Sequence, residues 1–300
     1  MGSKWAVLLA GGEGARLRGH SIAGRLIDRP KQFLRLDGGA SLLGATLTRA
    51  LRHVRWSNVV PLVSSAHRPW WTAELLDVPP ANILAQSNSR GTAPAILLAL
   101  RHILEHDHDP TILVFPSDHG IDDESTLAGT LSDAVAIAEE HRHDLVLVGA
   151  RPVGIENDYG WIVPENPGSD SSRVRAFVEK PAPGRTSSLI RQGALWSTFM
   201  LVASGPALLQ RYLRIAPSLV GRIWRAGWKP WTEDALNRAY AGLPDLDFSR
   251  DILQPCAHRL RVVSLPKCGW TDLGTPERLA TWIDRKKSLA EDAGACLMTP

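Results

Sequence analysis

Residues 5–17 read Trp5-Ala6-Val7-Leu8-Leu9-Ala10-Gly11-Gly12-Glu13-Gly14-Ala15-Arg16-Leu17, an apolar run that breaks into three glycines within four residues. Such a run followed at once by glycines is typical of a buried strand that ends in a loop. Glycine takes positive φ readily and has no Cβ, so successive N–H groups can point at one set of oxygens. The stretch predicts an anion-binding loop, to which Arg16 and the lysine of Pro30-Lys31-Gln32-Phe33 would add positive charges.

Two better-known glycine loops also follow a strand, and the sequence excludes both. A P-loop would need Gly-Lys-Ser or Gly-Lys-Thr after Gly14, and a dinucleotide-binding fingerprint would need a third glycine where Leu17 stands. By spacing alone, a tight turn with solvent-facing charges explains the glycines equally well. The choice between a turn and a phosphate-binding loop therefore depends on the rest of the chain.

The composition is that of a globular protein with a sizeable core. The chain has 300 residues, of which 44% are hydrophobic, and this suits one large α/β domain or two smaller ones. The formal net charge is +3 with acids and bases mixed, so there is no basic stripe for nucleic acid. No apolar run approaches a membrane span, and the segment at Trp5 lacks the features of a signal peptide. We expect a soluble cytoplasmic protein with neither nucleic acid nor membrane as partner.

The cysteines favour a reducing compartment. Cys256, Cys268 and Cys296 form neither an even disulfide framework nor a paired metal spacing. Cys256 and His258 would supply two ligands at most, which complete no zinc site. We therefore expect ordinary thiols and no metal at this position.

Strands and helices alternate through the first half of the chain. After the first strand, the predicted strands are 58–64, 82–86, 111–115 and 144–149, and the predicted helices are 41–54, 92–104 and 125–140. The strand at 111–115 is continuously apolar, as in a strand buried on both faces of a parallel sheet. The pattern predicts an α/β fold with an open, mostly parallel sheet and helices on both faces. Ligands of such sheets bind beyond the carboxyl ends of the strands, so the loops at 11–14, 86–92 and 116–119 should meet along one rim.

The second half of the chain has a different character. Strands at 159–164 and 173–181 flank a polar loop at 165–172, which predicts a hairpin. A loop at 268–274, which carries Asp272, follows the last predicted strand. The other predicted elements are a strand at 195–202, helices after Ser204 and at 218–226 and 232–240, a strand at 260–265, a closing helix at 276–287 and a polar tail at 288–300.

Five motifs, taken in order, resemble those of the sugar-phosphate nucleotidyltransferases, and within that family the guanylyltransferases that act on mannose 1-phosphate. Each motif alone is weak evidence, but five in the right order make coincidence improbable. The resemblance extends from about Trp5 to about Arg285. The motifs are residues 9–17, Pro30-Lys31-Gln32-Phe33, Arg90-Gly91-Thr92-Ala93-Pro94-Ala95, Phe115-Pro116-Ser117-Asp118-His119 and Glu179-Lys180-Pro181.

The resemblance implies a fold and a domain organisation. The fold would be Rossmann-like, of the nucleotide-diphospho-sugar transferase type, with a sugar-binding β subdomain. A single nucleotidyltransferase domain would cover residues 1–287, with a nucleotide-binding half at about 1–150 and a sugar-phosphate-binding half at about 151–287. We expect neither the cupin isomerase domain of bifunctional members nor a left-handed β-helix in this chain, and therefore transfer alone.

The resemblance also implies a reaction. A sugar 1-phosphate, with mannose 1-phosphate favoured, would attack the α-phosphorus of a nucleoside triphosphate, with GTP favoured, and pyrophosphate would leave. Negative charge grows on the phosphoryl oxygens, so the site must gather cations and N–H groups. Arg16, Lys31 and Asp118 would be catalytic. Mg²⁺, the implied cofactor, needs only one or two carboxylates beside its phosphate and water ligands, and Asp118 and Asp272 would supply them.

The binding residues are likewise implied by the resemblance. Gln86 and Gly91 would lie against the purine base, Glu179 would accept hydrogen bonds from sugar hydroxyls, and Lys180 would bind the phosphate of the sugar. His119 receives no catalytic role. The nucleotide-binding residues would be Ala10, Gly11, Gly12, Glu13, Gly14, Gln86, Arg90, Gly91 and Thr92, and the sugar-phosphate-binding residues Gly160, Glu179, Lys180, Trp196, Ser197 and Thr198.

Two departures from the family pattern concern the lid and the sugar. The interval from Arg16 to Lys31 is longer than usual, so residues 19–25 look like an insertion in the loop over the triphosphate. Where enzymes of this kind commonly have Trp-Asn-Ser, the chain has Trp196-Ser197-Thr198. A serine reaches less far than an asparagine amide, which leaves the choice of sugar open.

Other functions remain open at this point. The same reaction with another base or hexose 1-phosphate is one alternative, and a non-catalytic regulatory homologue that binds a nucleotide sugar is another. A glycosyltransferase of related architecture would need an Asp-x-Asp motif, which Ser117-Asp118-His119 does not supply. Asp118 would otherwise be a turn or cap residue and Lys180 a solvated charge. The oligomeric state is also open, with a homodimer among the alternatives.

Overall fold

A mixed β-sheet organises the molecule. The computed structural model describes residues 2–14, 16–22, 24–36, 39–225 and 233–296. The strands in this part of the chain are β1 (Lys4–Ala10), β2 (Ser21–Ile22), β3 (Arg25–Leu26), β4 (Val59–Ser64), β5 (Leu84–Gln86), β6 (Thr111–Pro116), β7 (Leu145–Ala150), β8 (Gly160–Pro164), β9 (Ser171–Glu179), β10 (Leu195–Ser204) and β11 (Leu260–Leu265). All but β2 and β3, which pair with each other, form one sheet in the order β5-β4-β1-β6-β10-β7-β11-β9-β8.

Helices cover both faces of this sheet. One face carries α1 and α4, whose apolar side chains share a core with Leu8 of β1, and the other carries α3 and α6, which share a core with Val7. Because successive side chains of a strand point to opposite faces, the unbroken apolar run of β1 fills both cores. The helices are α1 (Leu42–Leu51), α2 (Arg68–Trp71), α3 (Thr92–Leu104), α4 (Glu124–Glu140), α5 (Arg185–Arg191), α6 (Gly205–Ile215), α7 (Pro217–Arg225), α8 (Glu233–Tyr240) and α9 (Pro276–Cys296).

The strand directions bring several strand ends to one rim. β1 lies between β4 and β6 and is parallel to both, and β4 is parallel to β5. β10 runs antiparallel between β6 and β7, and β11 is parallel to β7. β7 and β11 therefore point the same way as β1 and β6, and the loops after these strands lie on one edge of the sheet. The α/β class with helices on both faces is as predicted, whereas the placement of β10 between β6 and β7 has no local signal in the sequence.

The second half contains the predicted hairpin and some elements that were not predicted. β8 and β9 pair antiparallel, with Gly160 opposite Glu179. Helix α5 and a π-helical turn at Phe248–Leu253 were missed, and the closing helix α9 continues beyond 287 through Cys296. At the predicted insertion at 19–25, β2 and β3 pair antiparallel, and β3 extends one residue beyond it to Leu26. Parts of four predictions lie outside the described residues: Ala23 of the insertion, Ala226 and Thr232 at helix ends, and 297–300 of the tail.

A membrane-spanning segment is not found: no helix in the described ranges is both long and apolar enough to cross a bilayer.

Candidate active site

The loops that follow β1, β5 and β6 line one cavity of about 300 Å³ at the rim of the sheet. Gly11 and Gly12 come from the first loop, Gln86 and Gly91 from the second, and Asp118 from the third. The three loops that the sequence placed on one rim therefore do converge. Thr92 and His119 lie in the same lining.

Hydrogen bonds from buried polar side chains hold the glycine loop in place. The Nε2 group of Gln32, which is buried, donates to the carbonyl oxygens of Ala10 at 2.9 Å and Gly12 at 2.8 Å. Gly14 has a φ of 61°, and a Cβ there would lie 2.7 Å from the backbone nitrogen of Lys31. A Cβ on Gly12, by contrast, would have no neighbour within 4 Å, so that position faces open space in the cavity. The loop is thus rigidly anchored on one side and open on the other.

Lys31 joins two further loops beneath the glycine loop. Its Nζ lies 2.8 Å from Oδ2 of Asp118 and donates to the backbone oxygen of Asp272 at 2.6 Å. The lysine side chain is 9% exposed, so little water competes for these contacts. Burial alone would raise the pKa of Asp118, but the Lys31 ammonium, together with the hydrogen bonds and other neighbours of the carboxyl, outweighs burial and holds that pKa below its usual value. Asp118 is therefore ionised at neutral pH.

His119 is neutral in this environment. Burial lowers the pKa of its imidazole to about 4, and the nearby positive charge of Lys31 acts in the same direction. Trp270 donates its indole N–H to Nδ1 at 3.2 Å, which leaves the ring proton on Nε2. That Nε2 lies 3.6 Å from Oδ1 of Asp118. A neutral N–H donor therefore faces the cavity beside the carboxylate, in a place to which sequence reasoning gave no role.

Three donors fix the carboxylate of Asp272. Its Oδ1 accepts from the Tyr159 hydroxyl at 2.8 Å and the Gly274 backbone N–H at 3.1 Å, and its Oδ2 accepts from NH2 of Arg278 at 3.3 Å. Nε of the same arginine lies 2.9 Å from Oδ1. Arg278 also lies 3.0 Å from Oε2 of Glu156, and its guanidinium lies over the Tyr159 ring at 5.0 Å. Sequence reasoning missed Tyr159 and Arg278. The one signal for Arg278 was a cation near the start of a helix, where the helix dipole disfavours positive charge.

A second cavity of about 440 Å³ lies beside the first and is lined by the residues predicted to be catalytic or metal-binding. Arg16, Lys31, Asp118 and Asp272 all line it, as does Glu13. Asp118 and His119 line both cavities and mark where the two meet. The loops that carry Asp118 and Asp272 are further joined by a two-way backbone bridge between Gly120 and Thr271, at 2.9 and 3.0 Å.

The loop predicted to lie against the base, residues 90–92, is hydrogen-bonded to the segment 246–248. Leu246 donates its N–H to the oxygen of Arg90 at 3.0 Å and accepts from the N–H of Ala93 at 3.1 Å. Gly91, between them, has a φ of 84°, and a Cβ there would lie 2.2 Å from the Leu246 oxygen. Thr92 accepts at Oγ1 from the Phe248 N–H at 2.8 Å. Only glycine fits this position, and hydrogen bonds to residues 246 and 248 define the shape of the loop.

The side chains of Gln86 and Arg90 have different placements. Gln86 is buried in the cavity wall and donates from Nε2 to the Tyr240 hydroxyl at 2.5 Å. Arg90 is outside the lining of both cavities, and its NH1 lies 3.8 Å from Oδ1 of Asp245. The structure therefore brings Gln86 to the cavity and leaves Arg90 at its margin.

The predicted sugar-phosphate residues form a neighbouring group that does not line either cavity. A Cβ on Gly160 would lie 2.7 Å from Oε2 of Glu179, so the glycine makes room for that carboxylate. Burial raises the pKa of Glu179 to about 7, and the nearby carboxylate of Asp247 adds to the effect. Lys180 is exposed and has a φ of 43°, which few non-glycine residues adopt.

The Trp196-Ser197-Thr198 segment lies where the pairing of β10 with β7 changes register. The Thr198 hydroxyl is fully buried and donates to the backbone oxygen of Val148 at 2.7 Å. This hydrogen bond links β10 to β7 at the irregularity. Trp196 packs edge-on against Tyr159 at 5.0 Å between centroids, and its indole N–H has no hydrogen-bond partner among the described residues. Tyr159 thus touches both Trp196 and Asp272, and links the two groups of predicted residues.

The site fits a shared magnesium ion better than a protein-only metal cage. No group of three or more His, Cys, Asp or Glu side chains suited to a metal occurs within the described ranges. Mg²⁺ commonly takes one or two carboxylates and completes its shell with water and substrate phosphates. Asp118 fits that role, since Lys31 lies at its Oδ2 and the contact of its Oδ1 with Nε2 of His119 is as long as 3.6 Å. Asp272 lines the same cavity; its Oδ1 accepts from two donors and its Oδ2 from one, NH2 of Arg278 at 3.3 Å, so Oδ2 keeps the greater capacity to bind a metal.

Comparisons with known sequences agree with this geometry. A family model described as nucleotidyl transferase matches residues 5–287. The xanthan biosynthesis protein XanB of Xanthomonas campestris pv. campestris is 30% identical over 276 residues, which cover 90% of this chain and 57% of that protein. A mannose-1-phosphate guanylyltransferase of Escherichia coli is 31% identical over 293 residues, which cover 89% of this chain and 59% of that protein. The chain therefore spans somewhat more than half the length of these relatives.

Solved structures share the architecture. A crystal structure described as mannose-1-phosphate geranyltransferase from Thermus thermophilus matches with a TM-score of 0.78 and 28% identity, covering 91% of this chain and 76% of that one. A UDP-glucose pyrophosphorylase complexed with UDP-glucose matches with a TM-score of 0.60 and 12% identity, covering 95% and 99%, and supports the fold alone. The Rossmann-like fold of the nucleotide-diphospho-sugar transferase type is thereby confirmed.

Proposed function

The chain belongs to the nucleotidyl transferase family, and from that premise we propose that it transfers GMP from GTP to mannose 1-phosphate in a magnesium-dependent reaction. A phosphate oxygen of the sugar 1-phosphate forms a bond to the α-phosphorus, and the bond from that phosphorus to the leaving pyrophosphate breaks. The products are GDP-mannose and pyrophosphate. The observation that carries the proposal is Lys31, which links the loops of Asp118 and Asp272 under an open glycine loop.

The charges around the second cavity suit a polyphosphate. Negative charge grows on the α-phosphoryl oxygens and on pyrophosphate during transfer, and fixed cations stabilise it best where water is scarce. Lys31 is nearly buried and is already held by two oxygens, so its position costs no reorganisation during the reaction. Arg16 lines the same cavity and supplies a second cation. The backbone N–H groups of the glycine loop would donate to phosphate oxygens, since no side chain covers Gly12.

A magnesium ion would be held by Asp118 and Asp272. When bound, it neutralises phosphate oxygens and polarises the α-phosphorus. Neighbouring residues fix the charge and the orientation of these two carboxylates. Lys31 keeps Asp118 ionised, while Tyr159 and Arg278 orient Asp272. His119, neutral and protonated at Nε2, offers a hydrogen bond to a phosphate oxygen without competing for the metal.

Two observations support guanine and mannose as the base and the sugar. One is the set of residues next to the proposed phosphate site, and the other is that relatives are named mannose-1-phosphate guanylyltransferase. Gln86, buried in the cavity wall, can both donate and accept along the edge of a purine. Gly91 keeps the adjacent backbone free of side chains. On the acceptor side, Glu179 and Lys180 offer a carboxyl for sugar hydroxyls and a compact charge for the phosphate. Nucleotide-sugar biosynthesis in the cytoplasm is the setting in which we expect this reaction; a homodimer remains only a prediction.

A substrate panel tests the proposal. The purified chain is incubated with each of the four nucleoside triphosphates and with mannose, glucose, galactose and N-acetylglucosamine 1-phosphates, and pyrophosphate release is measured with Mg²⁺ or with EDTA. We expect the highest kcat/KM for GTP with mannose 1-phosphate, and none with EDTA. A preference for another pair would reassign the substrates within the family. Normal nucleotide binding with no pyrophosphate release from any pair would instead support a non-catalytic homologue.

A further inference from the structure

An arginine-rich cavity lies at the edge of the sheet opposite to the candidate active site. It has a volume of about 540 Å³ and is lined by Arg211, Arg214, Arg259, His143, Gln210 and Leu213. His143 precedes β7 and Arg259 precedes β11, so the cavity lies near the beginnings of these parallel strands. The candidate active site lies beyond the carboxyl ends. The arginine-rich cavity is therefore separate from both cavities of that site.

The central feature of this cavity is a buried arginine with unused donors. Arg211, on α6, is 3% exposed, and its Nε and NH1 have no hydrogen-bond partner within the described part of the chain. Its NH2 donates to the side-chain oxygen of Gln210. A buried charge is strongly unfavourable unless it is paired and hydrogen-bonded. Arg211 thus brings a buried charge to the cavity, and two of its donors have no partner among the described residues.

The acidic groups nearby do not neutralise Arg211. Asp144 is engaged elsewhere, with Nε of Arg261 at 3.0 Å and NH1 of Arg259 at 4.0 Å. The thiol of Cys256 stays protonated, because burial raises its pKa to about 11. Burial and the like charges of Arg259 and Arg214 lower the pKa of Arg211 itself. Among the described residues, the positive charges at this cavity therefore exceed the negative ones.

We propose that this cavity is a binding site for a phosphate-bearing small molecule. Arginine carries a permanent charge and planar N–H donors that suit the oxygens of a phosphate group, and the guanidinium of Arg211 brings such a charge to the cavity without a carboxylate partner. Arg214 and Arg259, which are more exposed, would close over the same anion from the rim. The volume of about 540 Å³ exceeds what one phosphate ion needs and is in the range of small-molecule sites.

Calorimetric titration of the full chain at constant ionic strength tests the proposal. The probes are inorganic phosphate, a hexose 1-phosphate and a nucleoside monophosphate. We expect Arg214→Gln/Arg259→Gln to weaken one binding event at least tenfold, while Lys31→Ala, in the candidate active site, and Arg191→Gln, on the exposed face of α5, retain that event. Tighter binding of an organic phosphate than of inorganic phosphate would identify a metabolite as the ligand, and equal binding would identify the free oxyanion.

A second variant gives an independent readout. Arg211→Met removes the uncompensated charge, so we expect its Tm in phosphate-free buffer to equal or exceed that of the wild type, and phosphate to raise the Tm of the wild type by more than it raises that of the variant. Phosphate binding that is unchanged in Arg214→Gln/Arg259→Gln, or that is lost in Lys31→Ala alone, would overturn the proposal. Because no turnover is measured, either result leaves the proposed transferase activity to be judged separately.

Discussion

The phenol of Tyr159 donates a hydrogen bond to Oδ1 of Asp272 over 2.8 Å, and so joins the start of β8 to the loop after β11. Burial and the charge of Asp272 raise the pKa of the phenol well above its usual value, so the donor stays protonated. The orientation of one proposed metal ligand is therefore set by an aromatic residue that also packs against Trp196.

Tyr159→Phe should reduce activity without removing the ring contacts. Asp272 would lose one of the two hydrogen-bond donors to Oδ1, at a cost of about 1 kcal/mol, or roughly a fivefold drop in kcat/KM. The apparent affinity for Mg²⁺ should change in the same variant, because the carboxylate is less well oriented. Steady-state kinetics over a range of Mg²⁺ concentrations measure both. A purely structural role would lower Tm and leave the Mg²⁺ dependence as in the wild type.

Asp118→Asn should abolish turnover and leave the fold intact. The amide keeps the size of the side chain but loses the negative charge that a magnesium ion needs, so we expect kcat to fall on the order of a thousandfold. Asp133→Asn, on the exposed face of α4, is the matched control and should behave as the wild type. Pyrophosphate release and circular dichroism provide the measurements. Near-normal, magnesium-dependent activity of Asp118→Asn would remove Asp118 from the metal site.

Glu179 should make stability depend on pH. Its pKa of about 7 in the folded chain is above the ordinary value of 4.5, so the folded state binds the extra proton between these values. The stabilising contribution is full below about pH 4.5 and is lost as pH rises through 7, by at most about 3 kcal/mol. Urea unfolding from pH 4.5 to 8 measures this decline. Glu179→Gln should flatten it relative to the exposed control Glu165→Gln, and equal slopes in both variants would rule Glu179 out as its source.

Gly91→Ala should damage nucleotide binding. The substitution forces a Cβ to within 2.2 Å of the Leu246 oxygen and strains a residue with a φ of 84°, at a cost of about 1–3 kcal/mol. The KM for GTP should rise roughly tenfold or more, because the loop at the base moves. Gly129→Ala is the control, since a Cβ there has no neighbour within 4 Å inside α4 and should stabilise the chain by about 0.5–1 kcal/mol. Thermal unfolding and KM values would show the contrast.

Lys180→Ala should weaken the affinity for the acceptor. Loss of one compact cation near the sugar phosphate should raise the KM for the sugar 1-phosphate roughly tenfold while the KM for GTP stays the same. Lys267→Ala, at another exposed position, is the control. A sugar-phosphate KM that is equal in Lys180→Ala and the wild type would reassign Lys180 to the solvated surface.

Sequence patterns revealed the part of the site that follows strands. A run of glycines, or a polar segment directly after an apolar strand, is a local signal that marks the end of the strand. Because parallel strands end at the same edge of the sheet, these signals placed Gly12, Gln86 and Asp118 on one rim. Boundaries of β1, β6 and β11 were close to those observed, because their apolar runs are unbroken. The same stretch indicated Lys31 as a cation beside the loop, and the resemblance added the metal-binding role of Asp272, whose backbone oxygen Lys31 meets only in three dimensions.

Other parts of the site depend on distant contacts that no local pattern encodes. Tyr159 and Arg278 are ordinary residues in sequence, and their role comes from meeting at one oxygen of Asp272. The low pKa of His119 requires burial beside Lys31, which no spacing indicates. The cavity at Arg211 is assembled from three separate segments, so its arginines look like scattered surface charges when read along the chain.

The position of β10 has a consequence for how the chain is made. β6 and β7 never touch as neighbours, because β10, which is synthesised later, lies between them. On the ribosome, one edge of β6 and both edges of β7 therefore stay unpaired at least until the segment Leu195–Ser204 emerges. We expect fragments cut before β10 to aggregate, and a translational pause after Ser204 to favour productive folding.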